Sequence, residues 1–334
     1  MNSSSTQKSK SIIIVFPGQG SQYVGMGKTF IDSLEYKHLH DYFLRADNTL
    51  GYKLSEIIFN GSQEKLKLTE NTQPALVTIE IALFSEVKKI LDSKNIKINC
   101  VLGHSVGEYS ALVAAQVINF EDAVKLVNLR GKYMQEAVPV GIGKMVALLK
   151  VPEDEVRLAC KEVSRPESEV MPANYNDPDQ IVISGHADAC ERAIKFLEEK
   201  LVRVRAIPLE VSAPFHSSLM RPATQKLKKE LDKIQFNKNK ISYIANVNAK
   251  EYKIDSDPNI IRENLIDQVA GSVLWCQSMR VPAVADFDQN TELLCIEVGP
   301  GKVLKGMIKK IRPEMNVISI CDENSFIELI KELS

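Results

Sequence analysis

The sequence predicts an α/β protein in which a mostly parallel sheet is covered by helices and carries a smaller inserted α+β unit. Three observations predict it. The run at residues 11–16, Ser-Ile-Ile-Ile-Val-Phe, lacks polar alternation and stops at Pro17-Gly18, as a strand buried on both faces would. A second apolar stretch, Cys100-Val101-Leu102, runs into a glycine turn and then a helical pattern, so strand and helix alternate along the chain. Between about residues 140 and 210 the order becomes strand, helix, strand, strand, helix, strand, which is the ferredoxin-like order.

The elements follow in chain order. Residues 1–10 are polar and rich in Ser and Lys, and read as a disordered tail. The parallel-sheet core is assigned to 11–139 and 210–334, and the ferredoxin-like unit to 140–209. After the first strand, residues 17–22 form a tight loop. Residues 30–50 place apolar groups at roughly helical spacing. Thr72-Gln73-Pro74-Ala75 opens a helix to about residue 91, with the proline in the first turn, where its missing N–H costs little. Helices are expected over 106–116 and 121–136. In the insert the reading is a strand at 144–151, a helix at 152–163, strands at 170–174 and 180–184, a helix at 188–200 and a strand at 202–209. Asn174 and Asn176 are placed in the turn before the second member of the strand pair, where asparagine is common. Ala213-Pro214-Phe215-His216-Ser217 returns to the larger unit, whose further strands are 241–246 and 293–298. Gly299-Pro300-Gly301 leads into a last helix at 302–311.

Composition narrows the function. The 334 residues are 44% hydrophobic and 25% charged, which suits a globular chain with a sizeable core. A net charge of -1 supplies no general attraction to nucleic acid or to anionic membrane, so neither is expected as a partner. The six cysteines contain no C-x-x-C pair, which argues against a disulfide framework or a zinc knuckle and for a reducing, cytoplasmic compartment. The apolar run at 12–16 is too short to span a bilayer.

The chemistry centres on Gly103-His104-Ser105-Val106-Gly107. This is G-x-S-x-G between a strand and a helix, a nucleophile elbow that exposes the Ser105 hydroxyl for acylation. A serine needs a base within reach. Of five histidines, His104 adjoins the serine but points elsewhere around the turn. His38 and His40 fall in a polar helix, and His186 falls in a Gly-His-Ala-Asp turn. His216, in a loop after a proline, is the base candidate. Gly18-Gln19-Gly20 lets backbone amides approach a ligand, so the amides of Gln19 and Val106 are the expected oxyanion pair. Arg130 lies in the helix after the elbow and has the planar fork that binds a carboxylate. Trp275 is read as core packing.

These residues occur in five blocks: Phe16-Pro17-Gly18-Gln19-Gly20-Ser21-Gln22, Gly103 to Glu108, Arg130-Gly131-Lys132-Tyr133-Met134-Gln135, Ala213 to Ser217, and Glu297-Val298-Gly299-Pro300-Gly301-Lys302. In this order, over about residues 11–312, the chain resembles the malonyl-CoA:acyl-carrier-protein transacylases of type II fatty acid synthesis, to which polyketide acyltransferase domains are related. The resemblance implies a hydrolase-like α/β core with a ferredoxin-like insert, and ping-pong transfer through an acyl-serine. It implies Ser105 as nucleophile, His216 as base, Arg130 as clamp on the malonyl carboxylate, and the Gln19 and Val106 amides as the oxyanion hole. It implies a main-chain carbonyl in place of an aspartate behind the base histidine, with Gln268 at the matching glutamine. Phe215 resembles the malonyl-selective pattern, since a small residue there leaves room for methylmalonyl. The expected partners are malonyl-CoA and acyl carrier protein, with no metal or redox cofactor, and the chain is expected to act as a monomer. One departure is Ser272-Val273-Leu274 before Trp275, where relatives usually have proline-valine; it predicts a different local backbone near Gln268. Lys302, Lys305, Lys309, Lys310 and Arg312 form a basic stretch that suits docking of an acidic carrier protein. Three rival readings stand beside this one: a relative with another acyl preference or a proofreading thioesterase, against which Arg130 argues; a general serine esterase, which would place an acid between serine and histidine in the chain; and a scaffold that merely binds carrier protein, against which the retained Ser105 and His216 argue.

Overall fold

The computed structural model describes residues 9–211, 213–285 and 291–334. Strands β1 (Ser9–Phe16) and β2 (Ile98–Gly103) begin the larger sheet. β3 (Gly143–Leu149), β4 (Val170–Asp177), β5 (Gln180–His186) and β6 (Arg205–Pro208) build a separate one. β7 (Ser242–Ile244), β8 (Glu251–Tyr252), β9 (Thr291–Val298) and β10 (Asn316–Ile320) return to the first.

The larger sheet has the order β10-β9-β1-β2-β7-β8, parallel throughout except for β8. β1 lies inside it, and its run of apolar residues follows from that position. Ile12, Ile14 and Phe16 pack into a core on one face, while Ile13 and Val15 pack into a second core on the other. The register puts Phe16 beside Gly103, so the loops after β1 and β2 leave the sheet side by side. That end of a parallel sheet is where α/β proteins assemble their sites.

The smaller sheet is antiparallel, with the order β4-β5-β3-β6. The helices Glu153–Val163 and Ala187–Lys200 cover it through Val156, Ala159, Ala193 and Leu197. The connectivity and order are those of a ferredoxin-like unit. It is stitched to the rest of the chain by Tyr175 N–H donating to the Val273 carbonyl (2.9 Å), Val273 N–H to Ala173 (2.8 Å), and Ser272 Oγ to Pro172 (2.7 Å). Ser272 and Val273, where the sequence departs from the usual proline-valine, are thus the residues that make this seam.

Several elements differ from the sequence reading. The tail expected at residues 1–10 falls outside the described residues as far as residue 8, but Ser9 and Lys10 extend β1, and Lys10 Nζ donates to the Glu332 carbonyl. Residues 30–50 are not one helix: Lys28–Asp32, the 3₁₀ turn Lys37–Leu39 and His40–Leu50 are separate pieces. Tertiary packing breaks the run, because Phe30 and Tyr36 turn inward together onto Phe326 of the last helix. The helix expected from Thr72 begins at Thr69 and runs to Ser93, so Pro74 is in its second turn. The carbonyl that Pro74 leaves without a helical donor, that of Glu70, accepts from Asn128 Nδ2 instead (2.8 Å). Asn174 and Asn176 lie in β4 and not in a turn, because the hairpin uses only Pro178 and Asp179. β8, β10 and the helices Arg221–Leu231, Pro258–Ala270 and Glu323–Glu332 had no counterpart in the sequence reading.

Candidate active site

Ser105 sits at φ +52°, in the left-handed region that disfavours any side chain. Neighbours hold it there. Its N–H donates to Asn246 Oδ1 (2.7 Å), and Asn246 Nδ2 donates back to the Gly103 carbonyl (2.6 Å). Asn246 follows β7, the neighbour of β2, so the sheet order itself delivers this clamp. The two glycines of the elbow serve close approach and not unusual torsion. A Cβ on Gly103 would meet the Gly107 carbonyl at 2.0 Å, and one on Gly107 would meet the Phe16 carbonyl at 2.3 Å. Gly18 is just as tight, its Cβ position lying 2.7 Å from the His104 carbonyl oxygen. The first loop is thereby pressed against the elbow.

Ser105 Oγ lies 2.8 Å from His216 Nε2. His216 Nδ1 faces two acceptors, the carbonyls of Gln268 (3.0 Å) and Gly271 (3.2 Å). Carbonyls only accept, so the ring proton belongs on Nδ1 and Nε2 presents a lone pair to the serine hydroxyl. Burial, reinforced by the Arg130 charge, pushes the imidazole down to about 3 against the opposing pull of the Gln268 carbonyl. The ring is therefore a neutral acceptor at physiological pH. It too sits at positive φ, +56°.

Arg130 is 1% exposed and still a cation. Its Nη1 donates to Gln73 Oε1 (2.8 Å), and its Nη2 to Gln268 Oε1 (2.9 Å) and Ser105 Oγ (3.1 Å). These partners are neutral, and among the described residues the guanidinium forms no ion pair. Burial presses its pKa below the usual arginine range. A buried cation held at its rim by neutral oxygens, beside a serine hydroxyl, has the charge and the donors to receive a carboxylate.

The backbone amides of Gln19 and Val106 donate to no acceptor among the described residues. Val106 is the N-cap of the helix Gly107–Ala114, so its amide lies at the positive end of the helix dipole. Gln19, Ser105, Val106, Arg130, Phe215 and His216 all line one cavity of about 160 Å³. Gln268 is not in its wall and acts from behind, through its carbonyl on His216 and its side chain on Arg130. Asn174 and Asn176 line the cavity from the smaller sheet. His104 Nε2 meets Asn176 Oδ1 at 2.9 Å, tying the elbow to that wall. Trp275 is fully buried, its ring 5.7 Å from that of His104.

Sequence reasoning missed Gln73, Asn246, Glu108 and the Gly271 carbonyl. The available signals were polar residues in apolar settings: Asn246 at the end of a core strand, and Glu108 as the lone charge of a helix otherwise made of small and apolar residues and one tyrosine. The remaining histidines lie apart from the serine. His38 is exposed and contacts Glu86 (3.0 Å), His40 begins a helix, and His186 closes β5, its Nδ1 accepting from Glu169 N–H (3.0 Å).

With the geometry established, comparison places the chain among known proteins. Residues 13–287 match the family model of the acyl transferase domain. The chain belongs to the acyl transferase family. Within it, the chain is 41% identical over 328 residues to the malonyl CoA-acyl carrier protein transacylase of Bacillus subtilis, covering 96% of this chain and 98% of that one. The crystal structure of a malonyl CoA-acyl carrier protein transacylase from Clostridium perfringens superposes with a TM-score of 0.86 at 41% identity, over 97% of each chain. A malonyl-transacylase solved in complex with a type II polyketide acyl-carrier protein superposes with a TM-score of 0.86 at 35% identity, over 97% of this chain and 100% of that one. This acyl transferase chain shares their α/β fold.

Proposed function

We propose that the chain transfers the malonyl group of malonyl-CoA to the phosphopantetheine thiol of acyl carrier protein, supplying fatty acid elongation from the cytoplasm. The observation that carries the reading is Arg130: a buried guanidinium with no carboxylate partner among the described residues, its Nη2 3.1 Å from Ser105 Oγ. An acyl group bearing a free carboxylate satisfies that charge while its thioester carbonyl lies at the serine. Phe215, buried in the cavity wall, crowds the position next to that carbonyl and favours an unbranched malonyl group.

Ser105 Oγ attacks the thioester carbon as His216 Nε2 takes its proton. The oxyanion is received by the Gln19 and Val106 amides. The intermediate collapses, His216 returns the proton to the departing coenzyme A sulfur, and malonyl stays on the serine. The carrier thiol then enters, gives its proton to His216 and attacks the ester. Ser105 leaves with that proton restored, and malonyl is carried away as the new thioester. Nothing in this sequence calls for a metal or redox cofactor, and one chain supplies every group it uses, which supports a monomer as the acting species. The named relatives, and the neighbour solved with its carrier protein, support both substrates.

The test is intact-mass measurement after mixing with malonyl-CoA or acetyl-CoA, for the native protein, Ser105→Ala and Arg130→Ala. One malonyl group should appear on the native protein, none on Ser105→Ala, and acyl carrier protein should discharge it faster than water does. Arg130→Ala should lose malonyl loading by about 10²-fold or more and gain relative preference for acetyl. Adduct lost to water as fast as to carrier protein would make the chain a hydrolase. Equal losses of malonyl and acetyl loading in Arg130→Ala would remove the clamp.

A further inference from the structure

Behind Arg130 lies a carboxylate that the mechanism does not use. Glu108, the second residue of the helix Gly107–Ala114, is fully buried. Its Oε2 accepts from Gln268 Nε2 (2.8 Å) and from Asn246 N–H (3.2 Å). Gln268 Nε2 also donates to the Ser105 carbonyl (2.8 Å). Both amide hydrogens of Gln268 therefore point at acceptors, of which the Ser105 carbonyl never has a hydrogen to give in return and Glu108 has none when ionised. That leaves Gln268 Oε1 one direction, toward Arg130 Nη2 at 2.9 Å. Turned the other way, the amide would press its NH₂ against the guanidinium and its oxygen against Glu108 and the Ser105 carbonyl. Burial raises the Glu108 carboxyl to about 7, opposed by the Gln268 and Asn246 hydrogen bonds, the Arg130 charge and the Tyr243 phenol. In either protonation state an oxygen remains to accept from Gln268.

We propose that Glu108 is a positioning residue: it fixes which way round the Gln268 amide sits and, through it, aims the Arg130 guanidinium at acyl groups that carry a carboxylate. The role rests on the malonyl-transfer reading and assigns to Glu108 the selectivity of that reaction without contact with the substrate. Glu108 makes no ion pair with Arg130, so the cation is oriented without being neutralised. Its negative charge is dispensable and its acceptor is not.

The experiment compares kcat/KM for malonyl-CoA and acetyl-CoA in the native protein and in Glu108→Gln, Glu108→Asp and Glu108→Met. Glutamine keeps an acceptor and should hold the malonyl-to-acetyl preference within about threefold. Aspartate keeps the charge but withdraws the acceptor by one methylene, and methionine removes it. Both should lower the preference about tenfold or more, mainly through KM for malonyl-CoA. Inactivation of Ser105 by a neutral sulfonyl fluoride should keep its native rate in all three. In a Gln268→Leu background, which retains the main-chain carbonyl for His216, Glu108→Met should cost no further selectivity. Parallel losses on both substrates, a glutamine variant as impaired as methionine, or additive losses with Gln268→Leu would each overturn the role of Glu108. A native protein with no preference for malonyl would instead overturn the malonyl reading itself. If Glu108→Met does not fold, Glu108→Asp carries the test.

Discussion

The imidazole of His216 is neutral because it is buried beside a cation, and that fixes how the reaction responds to acid. A base whose pKa is depressed to about 3 keeps its lone pair until the pH approaches that value, so the acid limb of the rate profile moves down. The single-turnover rate of Ser105 acylation should stay flat between about pH 7 and 5, where an ordinary histidine would lose most of its base form. Protonation of Glu108 over the same interval leaves its acceptor in place and the profile unchanged. An inflection near 6.5 in a rapid-quench pH series would show that the ring titrates as if exposed. Ser105 and His216 were legible in the sequence as the serine of an elbow and a histidine of a proline-bounded loop. Their positive φ was not, since nothing in Ser or His signals it. Gln268 was legible only through resemblance, and the Gly271 carbonyl not at all, because a backbone acceptor leaves no mark on composition.

At the scale of elements, the clamp depends on how closely two helices pack. Phe120–Glu136 carries Arg130, and Thr69–Ser93 carries Gln73. Gly131 permits their contact, since a Cβ there would stand 2.5 Å from the Thr69 carbonyl oxygen. Gly131→Ala should push the helices apart, lengthen the Gln73–Arg130 bond and raise KM for malonyl-CoA several-fold, with a loss of about 1–3 kcal/mol in stability. Gly306→Ala is the control, because its Cβ position has nothing within 4 Å and alanine favours the helix. Unchanged KM in Gly131→Ala, read beside its melting curve, would separate packing from clamp geometry. The alternation of strand and helix was readable because β1 and β2 are apolar on both faces. The start of the proline-bearing helix was not, since the donor that satisfies the carbonyl of Glu70 comes from Asn128, in another helix. The strand placement of Asn174 and Asn176 was hidden for a similar reason: their sequence looks like a turn, and only pairing with β5 makes it a strand.

At the scale of the whole molecule, residues from both sheets and their loops line the cavity, and the helix Val303–Ile311 adds Val303, Leu304 and Met307 to its wall. Of the basic stretch at 302–312, three charges are already engaged. Lys309 donates to the Met315 carbonyl (2.6 Å), Lys310 pairs with Asp177 (3.2 Å), and Arg312 with Glu314 (2.7 Å). The ammonium groups of Lys302 and Lys305 form no ion pair among the described residues and remain for an acidic partner. Reversing both to Glu should raise KM for acyl carrier protein about tenfold at low ionic strength and less as salt is added, while KM for malonyl-CoA holds. Initial rates across a salt series would check this, and an unchanged carrier KM at low salt would place docking elsewhere. Among the described residues no helix is long and apolar enough to cross a membrane.

The strand order also sets when the site comes into being during synthesis. A chain emerging from the ribosome presents Ser105 once both β1 and β2 have been made, but β1 lacks its other neighbour until β9 follows. His216 arrives 111 residues after the serine and lacks both of its carbonyl partners until Gln268 and Gly271 have followed. The groups that surround Ser105 are thus dispersed through translation, and the growing polypeptide carries an idle serine until Gly271 has been made. Reactivity therefore requires a chain extended past Gly271, and β1 gains its second neighbour only through the long-range pairing with β9.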